Sequence, residues 1–271
     1  WLKSTEEVKQ KDPQASWKEI HKICGECPWP QPVGWQSPFR PNGLHETMIR
    51  RIAPYSLRGF LYYQGEEDVQ RYADYSDMML MLVKQWRMDW NDWNLPFLFV
   101  QLPMYLADGE KDDSYWALQR EQQYIASMMI QNAGMISLAD CGEYDNIHPL
   151  DKKTPGERLF QLAKNLVYDK QGTITATAAQ LFSDNGKLYV TFDHLHEKLV
   201  MQTANGCPFE ISGEDNLFYP AKADVIHGNM LCISNPTVKF PSAVKYAWYN
   251  FGEAVLFTES GNPVSPFFKC V

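Results

Sequence analysis

Residues 57–66 read Leu-Arg-Gly-Phe-Leu-Tyr-Tyr-Gln-Gly-Glu, a short apolar segment that ends in a polar turn. Its aromatic side chains are typical of a β-strand. From Val69 to Met88, apolar side chains then recur every three or four residues, which is the period of a helix. A strand followed directly by a helix is the repeating unit of a parallel sheet, so this stretch predicts an α/β fold.

The same alternation continues towards the carboxyl terminus. Residues 95–102 form an apolar run of the buried-strand type, and residues 114–129 return to the helical period. Residues 135–139 form another apolar run, and residues 155–167 form a helix with Pro155 in its first turn. Strands and helices that alternate in this way predict a parallel sheet that is covered on both faces.

The hydrophobic pattern changes near Gln171. Beyond it, short apolar strands are separated by residues with hairpin-turn chemistry, at 184–186 and at 227–229. Before the α/β region, the chain is charged and then rich in proline, which disfavours a long helix or an internal strand. The predicted organisation is an irregular segment over 1–45, an α/β domain over 46–171 and a small β-sandwich over 172–271.

Composition excludes several classes of protein. The chain has 271 residues, with 33 acidic and 25 basic side chains, and its formal net charge is −8. This acidic balance argues against a nucleic-acid partner, which requires a basic surface to displace counterions. Apolar residues make up 45% of the chain, enough for a folded core. The sequence lacks a run of 18 apolar residues, so no membrane span is predicted.

The six cysteines leave the cellular compartment open, because they are compatible with free thiols and with a few disulfides. Cys24 and Cys27 form a C-x-x-C pair, which is typical of a redox pair or of half a zinc site. A zinc site needs two further ligands at matching spacing, and the sequence has no second pair of this kind. We therefore expect neither a metal nor a cofactor.

A first polar cluster, Gln64 to Asp68, directly follows the strand that ends at Tyr63. In open α/β sheets, ligands bind beyond the carboxyl ends of the strands, where these side chains are expected. Gly65 permits a sharp turn that lets Gln64 or Glu66 project over the edge of the sheet. By itself, the cluster is more typical of an ordinary polar loop whose acidic residues suit a helix amino terminus.

A second cluster, Asp145-Asn146-Ile147-His148-Pro149, follows the strand that ends near Asp140. The three-residue spacing brings the carboxylate within reach of the imidazole. A carboxylate in that place fixes the tautomer of the ring and stabilises its protonated form, as the acid of a catalytic triad does. A single D-x-x-H pair also occurs on ordinary surfaces, and the interpretation gains weight because both clusters follow strands of one sheet.

Taken together, these stretches resemble the sialate O-acetylesterase family of SGNH hydrolases. The most specific part of the resemblance is Tyr-Gln-Gly-Glu at 63–66 combined with Asp-x-x-His-Pro at 145–149. It extends from about residue 38 to 268, most of the chain. The other matching stretches are 40–49, 57–62, 86–87, 95–102, 120–122, 208–211, 246–248 and 265–267.

The resemblance implies a flavodoxin-like, three-layer α/β/α SGNH-hydrolase domain, here without its first strands, followed by a small β-sandwich domain. It implies a carbohydrate esterase that removes O-acetyl groups from sugars by Ser–His chemistry, without a metal or cofactor. In this resemblance, His148 is the general base and Asp145 is its orienting acid. Gln64 helps to bind the tetrahedral oxyanion, and Glu66 has a supporting acidic role.

The nucleophile is the point at which the sequence departs from the family. The family's serine lies in a Gly-Gln-Ser-Asn block well upstream of the Tyr-Gln-Gly-Glu stretch, and this sequence has no such block. Ser37 follows a glutamine, but it comes after a proline-rich run, so it is only a weak candidate nucleophile. We therefore expect the chain to be the carboxyl-terminal part of a longer enzyme, whose amino-terminal part is its partner and supplies the serine.

Several alternatives remain open at this level. The acetylated sugar is a sialic acid or a plant polysaccharide such as xylan or mannan. The missing serine block also permits a non-catalytic carbohydrate-binding chain, and a lipase-like or thioester-cleaving SGNH enzyme is a further option. The sequence determines neither the oligomeric state nor whether the protein is cytoplasmic or extracytoplasmic.

Overall fold

A computed structural model describes residues 1–28, 33–34 and 40–271. Its chain divides into two compact units, which are described separately. The first unit contains residues 1–56 with 89–91, and the second contains residues 57–88 with 92–271. The boundaries that the sequence places after residues 45 and 171 stay predictions.

The first unit contains helices within the segment that the sequence predicts to be irregular. Two of them, α1 and α2, are separated by Pro13, and the denser prolines begin only at Pro28. The amino terminus of α2 has a capping box, in which Ser16 Oγ accepts a hydrogen bond from Glu19 N–H and the Glu19 carboxylate accepts one from Ser16 N–H. The helices are α1 Leu2–Lys11, α2 Trp17–Cys24 and α3 Arg50–Ile52, the last preceded by a π-helical turn at His45–Ile49.

The second unit begins with a parallel three-stranded sheet, which confirms the predicted alternation. The strands β1 Phe60–Tyr62, β2 Phe97–Gln101 and β3 Ala133–Ser137 lie in the order β1-β2-β3. Phe99 of β2 pairs with Tyr62 on one side and with Met135 on the other. The intervening helices are α4 Tyr75–Asp89, which follows a 3₁₀ helix at Glu66–Asp74, α5 Tyr115–Met129 and α6 Lys153–Leu166.

Apolar side chains of β2 pack on both faces of this sheet because successive residues of a strand point in opposite directions. Leu98 and Val100 lie in one buried cluster with Leu159 and Leu162 of α6. On the opposite face, the ring of Phe97 lies 6.2 Å from the ring of Trp86 in α4. Burial of each such side chain contributes about 1.5–3 kcal/mol, which fixes the sheet between its helices.

The remaining strands are antiparallel. They form two four-stranded sheets in the orders β4-β5-β10-β9 and β13-β11-β7-β8, and a two-stranded sheet of β12 and β6. Asn185-Gly186 and His227-Gly228 join their hairpins with positive φ angles, as their turn chemistry predicts. The strands are β4 Thr177–Asp184, β5 Lys187–Asp193, β6 Leu199–Met201, β7 Phe209–Ser212, β8 Tyr219–Pro220, β9 Lys222–Ile226, β10 Met230–Ser234, β11 Ala243–Tyr246, β12 Leu256–Thr258 and β13 Phe267–Cys270.

Both four-stranded sheets contribute to one buried cluster, which contains Val190 of β5 and Val244 of β11. The same cluster includes Met104, which follows β2, and Ala139, which follows β3. The carboxyl edge of the parallel sheet is therefore anchored against the β-rich part. Of the helices in the described residues, none is both long enough and apolar enough to cross a membrane.

Candidate functional site

Three chain segments leave the parallel sheet at its carboxyl edge, and they are here called the edge segments. They are residues 63–68 after β1, residues 102–114 after β2 and residues 138–152 after β3. Because the three strands are parallel neighbours, their carboxyl ends lie at the same edge. The first edge segment contains Gln64 and Glu66, and the third contains Asp145 and His148.

A small apolar cluster connects the first and third edge segments. Tyr63, next to Gln64, and Ile147, next to His148, both pack against it. Lys152 Nζ also lies 5.1 Å from the centre of the Tyr63 ring. The two sequence motifs are thereby held on one common cluster, whose buried members are Val69, Leu102 and Trp116.

The side chain of Gln64 is fixed by hydrogen bonds at both ends of its amide. Its Oε1 accepts from the hydroxyls of Tyr62, at 3.2 Å, and Tyr75, at 3.4 Å. Its Nε2 donates to Asp68 Oδ2 at 2.6 Å. A primary amide has two N–H donors, and the second N–H of Gln64 has no acceptor among the residues that the structure describes.

The backbone of this turn is held by two residues that the sequence analysis did not identify. The carbonyl of Gln64 accepts from the Tyr75 hydroxyl, at 3.0 Å, and from Gln123 Nε2, at 3.3 Å. Gln123 Oε1 in turn accepts from Leu102 N–H at 2.8 Å, so this side chain of α5 joins the ends of β1 and β2. The sequence feature that could have identified Gln123 is its position, as a polar residue, on the buried side of an amphipathic helix.

Gly65 is favoured by the backbone geometry of this turn and by its close approach to α5. Its φ of +144° is rarely adopted by residues with a side chain. A Cβ atom built there would lie 3.1 Å from the amide nitrogens of Gln119 and of Gln123. Glycine therefore lets the turn approach α5 closely, as the sequence suggested from the need for a sharp turn.

Glu66 lies half-buried at the start of the 3₁₀ helix. Burial, together with the charges of Asp68 and Glu66, raises the pKa of Tyr62 to about 12. Burial and the charge of Glu66 likewise raise the pKa of Tyr63 to about 12. Both hydroxyls therefore stay protonated at neutral pH, and Tyr62 remains a donor to Gln64. The supporting role of Glu66 stays a prediction.

Asp145 and His148 are both exposed and lie in the same loop, but their side chains are not hydrogen-bonded to each other. Asp145 Oδ1 accepts from Asp108 N–H at 2.9 Å, while the backbone N–H of His148 donates to Asn146 Oδ1 at 3.1 Å. Across the described part of the chain, Asp145 Oδ2 and the His148 ring have no hydrogen-bond partner. Their predicted catalytic roles stay predictions.

The loop itself is anchored by residues that the motif does not include. Glu143 accepts hydrogen bonds from Leu150 N–H, at 2.6 Å, and from Asn146 Nδ2, at 2.7 Å. These two bonds lower the pKa of Glu143, the bond from Leu150 having the larger effect. Arg158 of α6 binds both carboxylate oxygens of Asp140 at 2.6 Å. These contacts fix the chain on either side of the motif while leaving the His148 ring exposed.

The candidate nucleophile and the C-x-x-C pair complete the residues that the sequence suggested. Ser37, the weak candidate nucleophile, lies outside the described residues. Cys24 and Cys27 are free cysteines. Over residues 1–28, 33–34 and 40–271, the structure has no group of three or more His, Cys, Asp or Glu side chains that could hold a metal ion.

Comparison with known proteins identifies the family that this chain resembles. Residues 32–165 match the family model for the carbohydrate esterases described as sialic acid-specific acetylesterase. The sialate O-acetylesterase of Mus musculus is 27% identical over 260 residues, which cover 85% of this chain and 47% of the mouse protein. The Pongo abelii protein of the same name is 24% identical and is matched over 83% of this chain and 46% of its own length.

A solved structure extends the likeness to the fold. The crystal structure of a carbohydrate acetylesterase from Xanthomonas citri matches with a TM-score of 0.78 and 32% sequence identity, covering 85% of this chain and 54% of that one. The chain thus spans about half the length of the relatives that it matches. By sequence, residues 32–165 belong to the family of carbohydrate esterases described as sialic acid-specific acetylesterase, and the similarity to the solved carbohydrate acetylesterase extends over 85% of the chain.

Proposed function

We propose that this chain forms part of a carbohydrate esterase that hydrolyses O-acetyl esters on sugars. The observation that carries the proposal is the convergence of the Gln64 turn and the His148 loop on one buried cluster at the carboxyl edge of a parallel sheet. Ester hydrolysis needs an oxyanion donor and a general base on the same reacting group, and these two segments supply one of each.

In the proposed reaction, a serine hydroxyl attacks the acetyl carbonyl and transfers its proton to His148. The carbonyl oxygen becomes an oxyanion and accepts the second N–H of Gln64 Nε2. Asp145 Oδ2 accepts from the imidazole and stabilises its charged form. His148 then gives the proton to the departing sugar hydroxyl, and water releases acetate from the acyl-serine by the same steps.

We propose that the serine comes from a segment of the protein outside these 271 residues. Among the described residues, β1 pairs with β2 alone, and its Leu61 is 65% exposed. A strand with an open edge can pair with another segment, which would bring a nucleophile beside Gln64. The domain formed in this way is a flavodoxin-like SGNH hydrolase over 46–171, followed by a β-sandwich over 172–271.

The test is hydrolysis of a chromogenic acetyl ester by the full-length protein that contains these residues. His148→Ala is expected to lower kcat by roughly 10²–10⁴-fold, the usual contribution of a general base. His196→Ala is the matched control, because His196 is also exposed but lies in the β-rich part. Equal rates for the two variants would contradict the proposal.

A second candidate is a non-catalytic carbohydrate-binding chain. It is favoured by the Asp145 carboxylate, which binds the backbone N–H of Asp108 and not the His148 ring. The same assay distinguishes the two functions, because a binding protein releases no acetate yet still retains acetylated sugars on an affinity column.

A further inference from the structure

The β-rich part of the chain contacts the candidate site through residues 249–251, which lie between β11 and β12. The central residue, Asn250, is only 3% exposed. The backbone N–H of Asn250 donates to Asp112 Oδ2, and its carbonyl accepts from Tyr105 N–H, both at 2.8 Å. Asp112 and Tyr105 belong to the second edge segment, so the backbone of Asn250 binds this segment at two points.

The side chain of Asn250 adds two further hydrogen bonds to the same region. Its Nδ2 donates to Asp113 Oδ1 at 2.8 Å, and its Oδ1 accepts from Trp116 N–H at 3.0 Å, in the first turn of α5. A carboxamide donates at one end and accepts at the other, which neither alanine nor aspartate does. Residues 102–114 contain no helix or strand of their own, and one buried residue of the β-rich part thus fixes their path.

The second edge segment in turn holds Asp145. The Asp145 carboxylate accepts from Asp108 N–H at 2.9 Å, and its backbone N–H donates to the Leu106 carbonyl at 3.0 Å. The preceding residue, Tyr144, donates its hydroxyl to Asp108 Oδ1 at 3.0 Å, and its ring lies 5.6 Å from the ring of Phe251. The position of Asp145 is therefore set by the second edge segment, with Phe251 as a further support.

We propose that Asn250 is a positioning residue of the esterase site, and that it acts through the second edge segment on the Asp145 carboxylate. The inference rests on the proposed function, in which Asp145 stabilises the charged imidazole of His148. A carboxylate held at Oδ1 presents its Oδ2 in a constant direction only while its partner, Asp108, is itself fixed. The β-rich part is in this way a component of the site and not a separate module.

The test measures hydrolysis of p-nitrophenyl acetate by the full-length protein. Asn250→Ala is expected to lower kcat about tenfold, because a displacement of about 1 Å in a catalytic group costs up to 10²-fold. KM for this small ester should stay within about twofold, since the substrate does not contact Asn250. Asn235→Ala is the matched control, because both ends of the Asn235 amide are hydrogen-bonded within the β-rich part, to Pro220 and Thr237. An unchanged kcat in Asn250→Ala would overturn the inference.

A double-mutant cycle separates positioning from a general loss of structure. In an Asp145→Asn background, Asn250→Ala should lower kcat by less than about twofold, because the carboxylate through which Asn250 acts is already absent. A structural defect with no connection to Asp145 would multiply with the loss from Asp145→Asn. A full tenfold loss in that background would therefore overturn the inference.

A second variant avoids any change to the buried residue. Asp113→Ala removes one hydrogen bond of Asn250 from an exposed position and should lower kcat about threefold, the usual order for one hydrogen bond. Asp215→Ala is the matched control: Asp215 is also exposed and, like Asp113, accepts from the backbone N–H two residues later. Equal rates for the two variants would contradict the inference.

Failure of the proposed function would give a different result, namely no turnover by the wild-type protein. Amide hydrogen exchange then decides the inference. Asn250→Ala should accelerate exchange at the N–H groups of Asp108 and Asp145, which join the second and third edge segments, and leave Leu98 of β2 unchanged. Unchanged exchange at Asp108 and Asp145 would show that Asn250 does not position them.

Discussion

The Gln64 turn and the His148 loop lie at the same edge of one sheet, yet they are held very differently. The Gln64 amide and carbonyl are hydrogen-bonded by Tyr62, Tyr75, Asp68 and Gln123, which belong to different elements. The His148 ring is exposed, and within the described structure it has no hydrogen bond. The proposed oxyanion donor is therefore preorganised, whereas the proposed base is not.

This difference follows from the structure that surrounds each segment. The turn lies against α5, where glycine and two buried glutamines allow close packing. The loop is anchored at Asp140 and Glu143, before the motif, and its imidazole faces solvent. A preorganised donor acts without reorganisation during the reaction, but an exposed base needs a further partner to fix its orientation.

Removing the preorganised donor should lower the rate more than changing the carboxylate of the His148 loop. Gln64→Ala is expected to lower kcat for a chromogenic acetyl ester by about 10²–10³-fold, because one oxyanion donor contributes on that order. Gln70→Ala serves as the matched control, since Gln70 is an exposed glutamine on the 3₁₀ helix that follows the Gln64 turn. Comparable losses in both variants would show that the effect comes from the helix and not from the amide.

Changing the carboxylate of the His148 loop should have a smaller effect on the rate. Asp145→Asn is expected to lower kcat by roughly 10–100-fold, less than the 10⁴-fold found where a buried acid is fixed on its histidine. The reason is that Asp145 is exposed and its Oδ1 already accepts from Asp108 N–H, so only Oδ2 is left for the ring. A loss as large as that of His148→Ala would show that the two side chains are already coupled and would remove the contrast between the two segments.

Stability should respond to a methyl group placed within the turn. Gly65→Ala is expected to lower the free energy of unfolding by about 1–3 kcal/mol, from its strained φ and the contacts with Gln119 and Gln123. Gly109→Ala is the control, because Gly109 also has a positive φ, +77°, but nothing lies within 4 Å of the added atom. Equal destabilisation in urea titrations would show that the close packing on α5 contributes nothing.

The smallest effect is expected from a fall in pH, which protonates Glu143 in the His148 loop. The pKa of Glu143 is lowered from its ordinary value of 4.5, so its hydrogen bonds are present above that pH and are lost as pH falls through the lowered value. Amide exchange at Leu150 should therefore accelerate below about pH 4.5, beyond the ordinary pH dependence of exchange. Leu98, whose amide lies in the buried sheet, gives the reference, and parallel behaviour of the two amides would contradict this account.

The sequence predicted the features that depend on local pattern. Strand and helix periods placed β2 and α5 to within two residues at either end, and the Asn185-Gly186 turn followed from residue chemistry. It did not predict Tyr75 or Gln123, because their roles depend on contacts between distant elements. The sequence also gave no prediction of the helices α1 and α2. Dense prolines begin only at Pro28, but the irregular structure that they indicate was expected for residues 1–24 as well, which contain only Pro13.

The central claim is that Gln64 and His148 act on one reacting group. It is tested most directly by a crystal structure of the full-length protein with a phosphonate analogue of the tetrahedral intermediate. The account predicts the phosphonyl oxygen at about 2.7–3.1 Å from Gln64 Nε2, with the His148 ring hydrogen-bonded to the same analogue. An analogue bound without either side chain, with Gln64 Nε2 still donating only to Asp68, would contradict it.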